Sequence, residues 1–501
     1  MHRFFLFLTV FITGMCVMAI ELTASRLLAP YFGASLFIWT NIISVVLLAL
    51  SLGYYLGGKL ADRREGKQLQ KTLYMLIFIT GLLVTLIPFV GKPIFLLAYD
   101  AISSRTASIF LGSLAATLGL FMLPLLLLGM VSPIAAKIGL KNKGDTGQVI
   151  GSLYACSTLG SLIGTFLPVL LTIPFLGSRE TFFLFGGVLI VLGVVGMRRV
   201  IFLSFLLIPI LLFFIKSPVH AGPNIIFQDE SVYNYISVQE HEDGQRSLRT
   251  NEGFGIQSLY HPGRFLTGFY WDDALFLPII KPNAQNFLIV GSAGGTSARL
   301  LHHFFPSLAL HAVEIDPLMV QVSQRFFGMD EVPMETTTAD GRVFLQQTKE
   351  KYDLMMIDVY KDELYIPFHL ATKEFFELAA RRLSENGIMM MNVASASANA
   401  EMVDLIKNTV TAVFPYTYEL RETASFNTLI FAFKQKPNFS LIQEKGLPPD
   451  LISLADRIIK GIKPLILSNG NGVAYDNRSA IELLTEKMIF FEARRELDKN
   501  F

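Results

Sequence analysis

Residues 286–316 read NFLIVGSAGGTSARLLHHFFPSLALHAVEID: an apolar run, a glycine-rich turn at 291–295, a helical stretch and a second apolar run that ends on acids. A strand–turn–helix–strand unit of this kind suits the cradling of a nucleotide or nucleoside. Gly291, Gly294 and Gly295, with Ser292 between them, let the backbone approach a ligand closely. Glu314, at the end of the second strand, can accept hydrogen bonds from both hydroxyls of a ribose. A glycine turn alone serves tight strand-to-helix packing just as readily, so the neighbouring strand ends carry the rest of the reading.

Downstream the same alternation continues. Strands are expected at 286–291, 309–315, 334–338, 352–360 and 387–393, with helices at 295–304, 317–327, 341–349, 371–383 and 399–413. Regular strand–helix alternation implies a parallel sheet covered on both faces. Asp340-Gly341 follows the third strand, where an acid can accept from an adenine amino group or cap the helix that starts at Arg342. Asp358 ends the fourth strand and faces the crevice where open α/β sheets bind ligands. Two final strands, YTYEL at 416–420 and TLIFAFK at 428–434, predict a hairpin at the sheet edge. That ending favours an S-adenosylmethionine-type, methyltransferase-like α/β fold over the dinucleotide-binding Rossmann fold. Upstream, 217–282 reads as a small β-rich lead-in with a hairpin turn at Asp243-Gly244.

The amino-terminal half differs in kind. The chain is 501 residues, 52% hydrophobic and 17% charged, with mean hydropathy +0.48, and its apolar weight lies before residue 217. The composition shift divides it into a multi-span helical membrane domain (1–216), the lead-in (217–282) and a nucleoside-binding domain (283–501). Seven spans are expected, near 4–26, 36–58, 73–90, 108–131, 150–176, 181–197 and 200–215. Gly53/Gly57 and Gly160/Gly164, each four apart, suit close helix packing. Basic residues fall in alternate loops, around Lys59 to Lys71, Lys137 to Lys143, and Arg198-Arg199, which the positive-inside rule places in the cytoplasm. Seven crossings would then put the carboxy-terminal domain outside, in conflict with a cytosolic nucleoside cofactor; without the 181–215 pair as two spans, the domain returns inside.

A net charge of +1 offers no nucleic-acid footprint. The two cysteines, Cys16 and Cys156, lie in apolar segments, so no disulfide framework or cysteine metal site is expected, and no histidine spacing suggests a metal. His369 reads as a satisfied loop histidine.

On these residues the chain resembles the spermidine synthase (polyamine aminopropyltransferase) family, in the bacterial form fused behind a multi-span membrane region. The resemblance rests on ELTASRLLAPYFGASLFIWTNIISVVLLALSLGYYLGGKLADR in the first half, and on VEID, Asp340-Gly341, YDLMMIDVY and ATKEFF in the second. It implies aminopropyl transfer from decarboxylated S-adenosylmethionine to a polyamine or other amine, with no metal. It further implies Asp358 and Asp362 as catalytic acids, Gln257 and Tyr270 as substrate-lining residues, and a bacterial inner-membrane location in contact with the lipid bilayer. A homodimer stays open. Three departures accompany it: Ala293 stands where the family's turn carries an aspartate, Lys361 where a second strand-four aspartate is expected, and Trp271-Asp272 where a histidine–glutamate pair follows the tyrosine. Two alternatives therefore stand beside it. One is a transferase of another kind using S-adenosylmethionine itself; the other is a transporter or sensor whose nucleoside- or polyamine-binding domain does not turn over.

Overall fold

The computed structural model describes residues 3–32, 36–104, 109–140, 146–214, 224–251, 255–361, 365–394, 401–421, 427–439, 447–465, 472–485 and 487–488. The chain forms two compact units, Met1–Ala221 with Glu230–Val232, and Gly222–Asp229 with Tyr233–Phe501.

The first unit is helical: α1 (Arg3–Phe32), α2 (Leu36–Arg63), α3 (Gly66–Ser104), α4 (Ile109–Gly129), α5 (Val131–Gly139), α6 (Thr146–Leu167), α7 (Ile173–Leu176), α8 (Ser178–Met197) and α9 (Leu207–Phe214). These supply six stretches long and apolar enough to cross a membrane, α4–α5 and α6–α7 each making one. The segment expected as a seventh span is a shorter apolar run, Ile201–Phe214. At ~1.5 Å per helical residue it falls short of a hydrocarbon core of about 30 Å. The small-residue pairs do pack closely. A Cβ on Gly160 or Gly164 would lie 2.0 Å from the carbonyl oxygen of Phe11 or Met15, and one on Gly53 would lie 2.3 Å from that of Leu126. Any larger side chain would force α6 off α1, or α2 off α4. Within lipid such contact is what holds helices together, because burial from water adds nothing there.

The second unit opens with a four-stranded antiparallel meander, β1 (Ile225–Glu230), β2 (Tyr235–Glu240), β3 (Arg246–Thr250) and β4 (Ser258–Tyr260). Its expected turn is present, with Gly244 at φ +81°. A short helix, α10 (Phe276–Ile280), leads into the alternating region. That region comprises β5 (Asn286–Val290), α11 (Thr296–Phe304), β6 (Ala309–Glu314), α12 (Pro317–Phe326), β7 (Met334–Thr338), α13 (Gly341–Gln347), β8 (Tyr352–Ile357), α14 (Lys373–Arg382), β9 (Leu383–Ala394) and α15 (Glu401–Thr411). The edge follows with β10 (Tyr416–Arg421), β11 (Asn427–Phe433), α16 (Pro449–Gly461) and β12 (Lys463–Pro464). Sheet order is β12-β10-β11-β9-β8-β5-β6-β7. Strands β9, β8, β5, β6 and β7 are parallel, and β11, β10 and β12 are added antiparallel.

The central strands of the sheet are buried on both faces. Along β5, Leu288 and Val290 join a core with Met355, Ile357 and Phe375, while Phe287 and Ile289 join a second core with Phe276 and Met356. A strand buried on two sides must be apolar at every position, which is why NFLIV and DLMMI show no alternation. Strand β9 starts before the expected residue 387 and carries an irregularity: Tyr352 pairs with Leu383 but Leu354 already pairs with Ile388.

Candidate active site

Four strands, β8, β5, β6 and β7, lie side by side with their carboxyl ends at one rim. The chain runs outward from β5 to β7 and then returns across β5 to β8, so the topology reverses between β5 and β8. In open α/β sheets that reversal opens a crevice for ligands.

Gly291 closes β5 at this point. Its N–H donates to Val313 O (2.8 Å), and Asp358 N donates to Val290 O (2.9 Å). Gly291 sits at φ +83°, and a Cβ there would lie 2.2 Å from the carbonyl oxygen of Asp358. The glycine turn and the end of β8 therefore share one tightly fitted junction. Beyond it Ala293 adopts φ +45° and Gly295 φ +84°, turning the chain into α11. The turn is also anchored to the lead-in: Gly294 N donates to Ser258 Oγ (2.8 Å), and Thr296 Oγ1 bonds both N–H and C=O of Leu259 (2.9 and 3.0 Å). Gln257 precedes β4 directly, its N–H donating to Leu248 O (2.8 Å), which sets it beside the turn in the chain path.

Glu314, buried at the end of β6, faces back to the same turn. Its Oε2 accepts from Ser292 N (3.2 Å) and Ala293 N (2.9 Å), and its Oε1 from Asp316 N (3.1 Å). Burial raises its pKa above the ordinary value, with those backbone donors pulling the other way. Oε2 is filled by its two donors, and Oε1 keeps one site, which a ribose hydroxyl can use.

At the end of β7, Asp340 does two things. Oδ1 caps α13 by accepting from Arg342 N (2.9 Å) and Val343 N (3.0 Å), and Oδ2 lies 3.0 Å from His369 Nε2. The His369 hydrogen bond is the largest influence lowering the Asp340 pKa. Gly341 is required by packing, since a Cβ there would come 2.4 Å from Val290 Cγ1. Arg342 in turn forms a bidentate pair with Asp476 (2.7 and 2.5 Å) and donates to His369 O (3.0 Å). Asp476 also accepts from Thr372 Oγ1 (2.7 Å). The segment around residue 476 is thus tied to this end of the rim.

Asp358, immediately after β8, has both carboxylate oxygens engaged by neutral donors, Tyr270 OH on Oδ2 (3.0 Å) and Asn392 Nδ2 on Oδ1 (2.9 Å). Burial pushes its pKa up to about 6, against which the Asn392 and Tyr270 hydrogen bonds act. Tyr270 is itself raised well above its ordinary value, by burial first and then by the charge of Asp358.

The predicted positions Gly291, Ser292, Gly294, Gly295, Glu314, Asp340, Gly341, Tyr270 and Asp358 thus share one rim, and Asp362 lies outside the described residues. Of the departures, Lys361 is exposed. Asp272 accepts from Thr267 N, Thr267 Oγ1 and Gly268 N (2.8–3.0 Å), so it braces the turn ahead of Tyr270. Sequence reasoning did not single out Ser258, Thr296, Asn392, Asn427 or Tyr360. Among the described residues no group of three or more His, Cys, Asp or Glu side chains is placed to hold a metal ion.

A buried acid at the switch point, a glycine turn and an acid on the next strand stand on one rim of a methyltransferase-like class of α/β domain, which follows six long apolar helices in the described chain. Within that class the chain carries a spermidine synthase-like domain, residues 277–441 matching the Spermine/spermidine synthase domain. A probable polyamine aminopropyl transferase of Bifidobacterium longum is 33% identical over 215 residues, 43% of this chain and 48% of that protein, so this match spans about half the relative's length. Polyamine aminopropyltransferase 2 of Aquifex aeolicus is 25% identical over 436 residues, 82% of this chain and 84% of the relative. The eEF1A lysine and N-terminal methyltransferase of Bos taurus is 28% identical over 155 residues, 29% of this chain and 22% of the relative.

Proposed function

We propose that this protein is a membrane-tethered aminopropyltransferase that moves the aminopropyl group of decarboxylated S-adenosylmethionine to a polyamine or related amine. The observation that carries this reading is Asp358, a buried acid at the switch point with Tyr270 on one oxygen. The rim suits an adenosyl group: Glu314 Oε1 keeps a site for a ribose hydroxyl, the glycine turn lies at the switch point, and Asp340 Oδ2, which also pairs with His369 Nε2, can accept from an exocyclic amine. When bound, the sulfonium cofactor supplies a carbon whose bond to sulfur breaks as the new N–C bond forms, sulfur leaving as a neutral thioether. Asp358 attracts the cationic acceptor, aligns it with Tyr270 and takes the proton the amine must lose. The direct test is mass analysis of products formed by the full chain in detergent with candidate amines and either form of the cofactor. An aminopropylated amine supports the reading, and its absence with every acceptor overturns it.

Glu314→Ala is expected to weaken binding of the adenosyl cofactor by about 1–3 kcal/mol, since ribose hydroxyls would be buried without partners. It is also expected to lower the melting temperature, because Ser292 and Ala293 lose their shared acceptor. Calorimetry on a folded variant with unchanged affinity would refute the ribose assignment.

Ala293 favours one second reading. Where an aspartate would hold the aminopropyl ammonium, the turn offers a methyl group, and a methyltransferase is among the relatives. A transferase using S-adenosylmethionine itself would have no need of that carboxylate. The left-handed backbone at 293 accepts aspartate more readily than most residues, so Ala293→Asp is a fair test. In an aminopropyltransferase it should raise kcat/KM for the decarboxylated cofactor by about tenfold, one good charge-assisted contact. In a methyltransferase it should instead impair S-adenosylmethionine through repulsion of its carboxylate.

The span count also supports a location. With six crossings, the basic stretches at 59–71, 137–143 and 198–199 share one side with the amino terminus, and that side is the cytoplasm. The soluble unit then faces the cytoplasm, where the adenosyl cofactor is made, and the membrane is the bacterial inner membrane. A reporter fused after Phe501 should respond as cytoplasmic; an extracytoplasmic response would mean that 201–214 crosses after all.

A further inference from the structure

Asp358 is not oriented by Tyr270 alone. Asn392 is 1% exposed and sits on β9, one residue beyond Met391, which pairs with Ile357 of β8. Every polar group of its amide is used: Nδ2 donates to Asp358 Oδ1 (2.9 Å), and Oδ1 accepts from Asn427 Nδ2 (2.8 Å). Its backbone carbonyl accepts from Tyr360 OH (3.0 Å), and that hydroxyl accepts from Ala394 N (2.7 Å). Asn427 stands opposite Ala394 in the β9–β11 register, so it reaches Asn392 as a diagonal neighbour on the same sheet face. The direction of this chain is set by chemistry. An ionised carboxylate only accepts, so the nitrogen of Asn392 must face Asp358. Its oxygen must then face Asn427, whose nitrogen must face back. Among the described residues, the titratable groups against Asp358 are Tyr270 and Tyr360. Burial raises both well above the ordinary tyrosine value, and the charge of Asp358 adds to this.

We propose that Asn392, backed by Asn427, is a positioning residue: its amide locks the plane of the Asp358 carboxylate, so that Oδ2, shared with the Tyr270 hydroxyl, is the oxygen offered to the acceptor amine. This rests on the aminopropyltransferase reading for its consequence and on geometry for its cause. Neither asparagine touches substrate in this role. Two neutral amides rather than a cation do the orienting, which keeps the acceptor side free of a positive group that would repel an amine. It also stabilises the ionised form of Asp358 against the burial that opposes it.

The experiment uses the full chain in detergent, comparing wild type, Asn392→Ala and Asn427→Ala by the pH dependence of kcat/KM and by 13C-carboxyl NMR titration, with Asp358→Asn assigning the resonance. In Asn392→Ala the acid limb and the Asp358 titration should both move to higher pH by about one unit, a tenfold loss of kcat/KM on the acid side that fades on the alkaline side. Asn427→Ala, which leaves the contact with Asp358 in place, should move both the same way by less. KM for the amine should rise while affinity for S-adenosylhomocysteine stays unchanged. A folded Asn392→Ala chain whose acid limb and Asp358 resonance stay at the wild-type pH overturns the proposal, as does an Asn427→Ala chain with a shift larger than that of Asn392→Ala. No transfer by the wild-type chain to any amine overturns the aminopropyl reading instead, and the NMR titration still reads the hold of Asn392 on Asp358.

Discussion

Asp358→Asn is expected to lower turnover by ~10²-fold or more while making the second unit more stable at neutral pH. Burial lifts this carboxyl from 3.8 to about 6, so the folded state keeps a proton that the unfolded chain has already released. A carboxyl raised in this way supports the fold fully below its unfolded pKa and loses that support as pH rises through the folded value. Asparagine does not titrate, and it preserves the geometry: its oxygen accepts from Asn392 Nδ2 and its nitrogen donates to the Tyr270 oxygen. Below about pH 4, where both states are protonated, variant and wild type should match in stability. Between there and about pH 6 the variant should pull ahead, levelling at a gain of about 1–3 kcal/mol. Urea unfolding of the two chains at pH 4, 6 and 8 measures the trend. A variant less stable than wild type at pH 8 would show that the acid is held for structure and would remove it from the chemistry.

The second large effect is expected at Gly291. Alanine there must adopt φ near +83° and place a methyl 2.2 Å from a backbone oxygen. The left-handed conformation alone costs about 1–2 kcal/mol. The collision adds to it, because the neighbour is the backbone of β8 and cannot rotate away, and the total should reach about 3–5 kcal/mol. Relief requires the ends of β5 and β8 to part, which carries Asp358 away from Tyr270, so cofactor affinity and turnover should fall together. Gly268 provides the control: its φ is +77° yet a Cβ there would meet nothing within 4 Å. Gly268→Ala should therefore show the conformational cost without the collision. Equal losses in the two variants would mean that the β5–β8 junction is looser than described.

The order of strands and helices from 286 onward was legible because a sheet buried on both faces requires unbroken apolar runs, and NFLIV, LMMI and MMMNV have no other stable use. Glu314 and Asp358 were legible for a related reason: a polar side chain at the end of such a run emerges at the rim, whereas Asp340, after the polar strand METTT, was legible as an Asp-Gly pair ahead of a helix. Asn392 was hidden inside one of those runs, where a lone amide has no periodic signature, and only the pairing of β9 with β8 and β11 gives it partners. The pairing of His369 with Asp340 was equally invisible, since 29 residues separate them and neither position dictates the other. The seventh span failed on length. The apolar run Ile201–Phe214 follows a break at Arg198, whose left-handed backbone (φ +54°) ends α8, and has too few helical residues for a crossing.

The clasp between Arg342 and Asp476 has a consequence for synthesis. Its two halves are 134 residues apart in the chain, so at roughly 5–20 residues per second the ribosome needs on the order of ten seconds after making one to make the other. During that interval the β5–β9 sheet can assemble, yet Arg342 lacks the partner that later ties it down. A nascent or prematurely terminated chain that stops short of residue 476 would thus hold a nearly complete sheet whose rim at Asp340 and Arg342 lacks this brace, and any adenosyl binding that depends on the clasp would begin only once residue 476 has been made. Ligand capture by arrested chains of graded length, released from the ribosome or still attached, would date that moment directly.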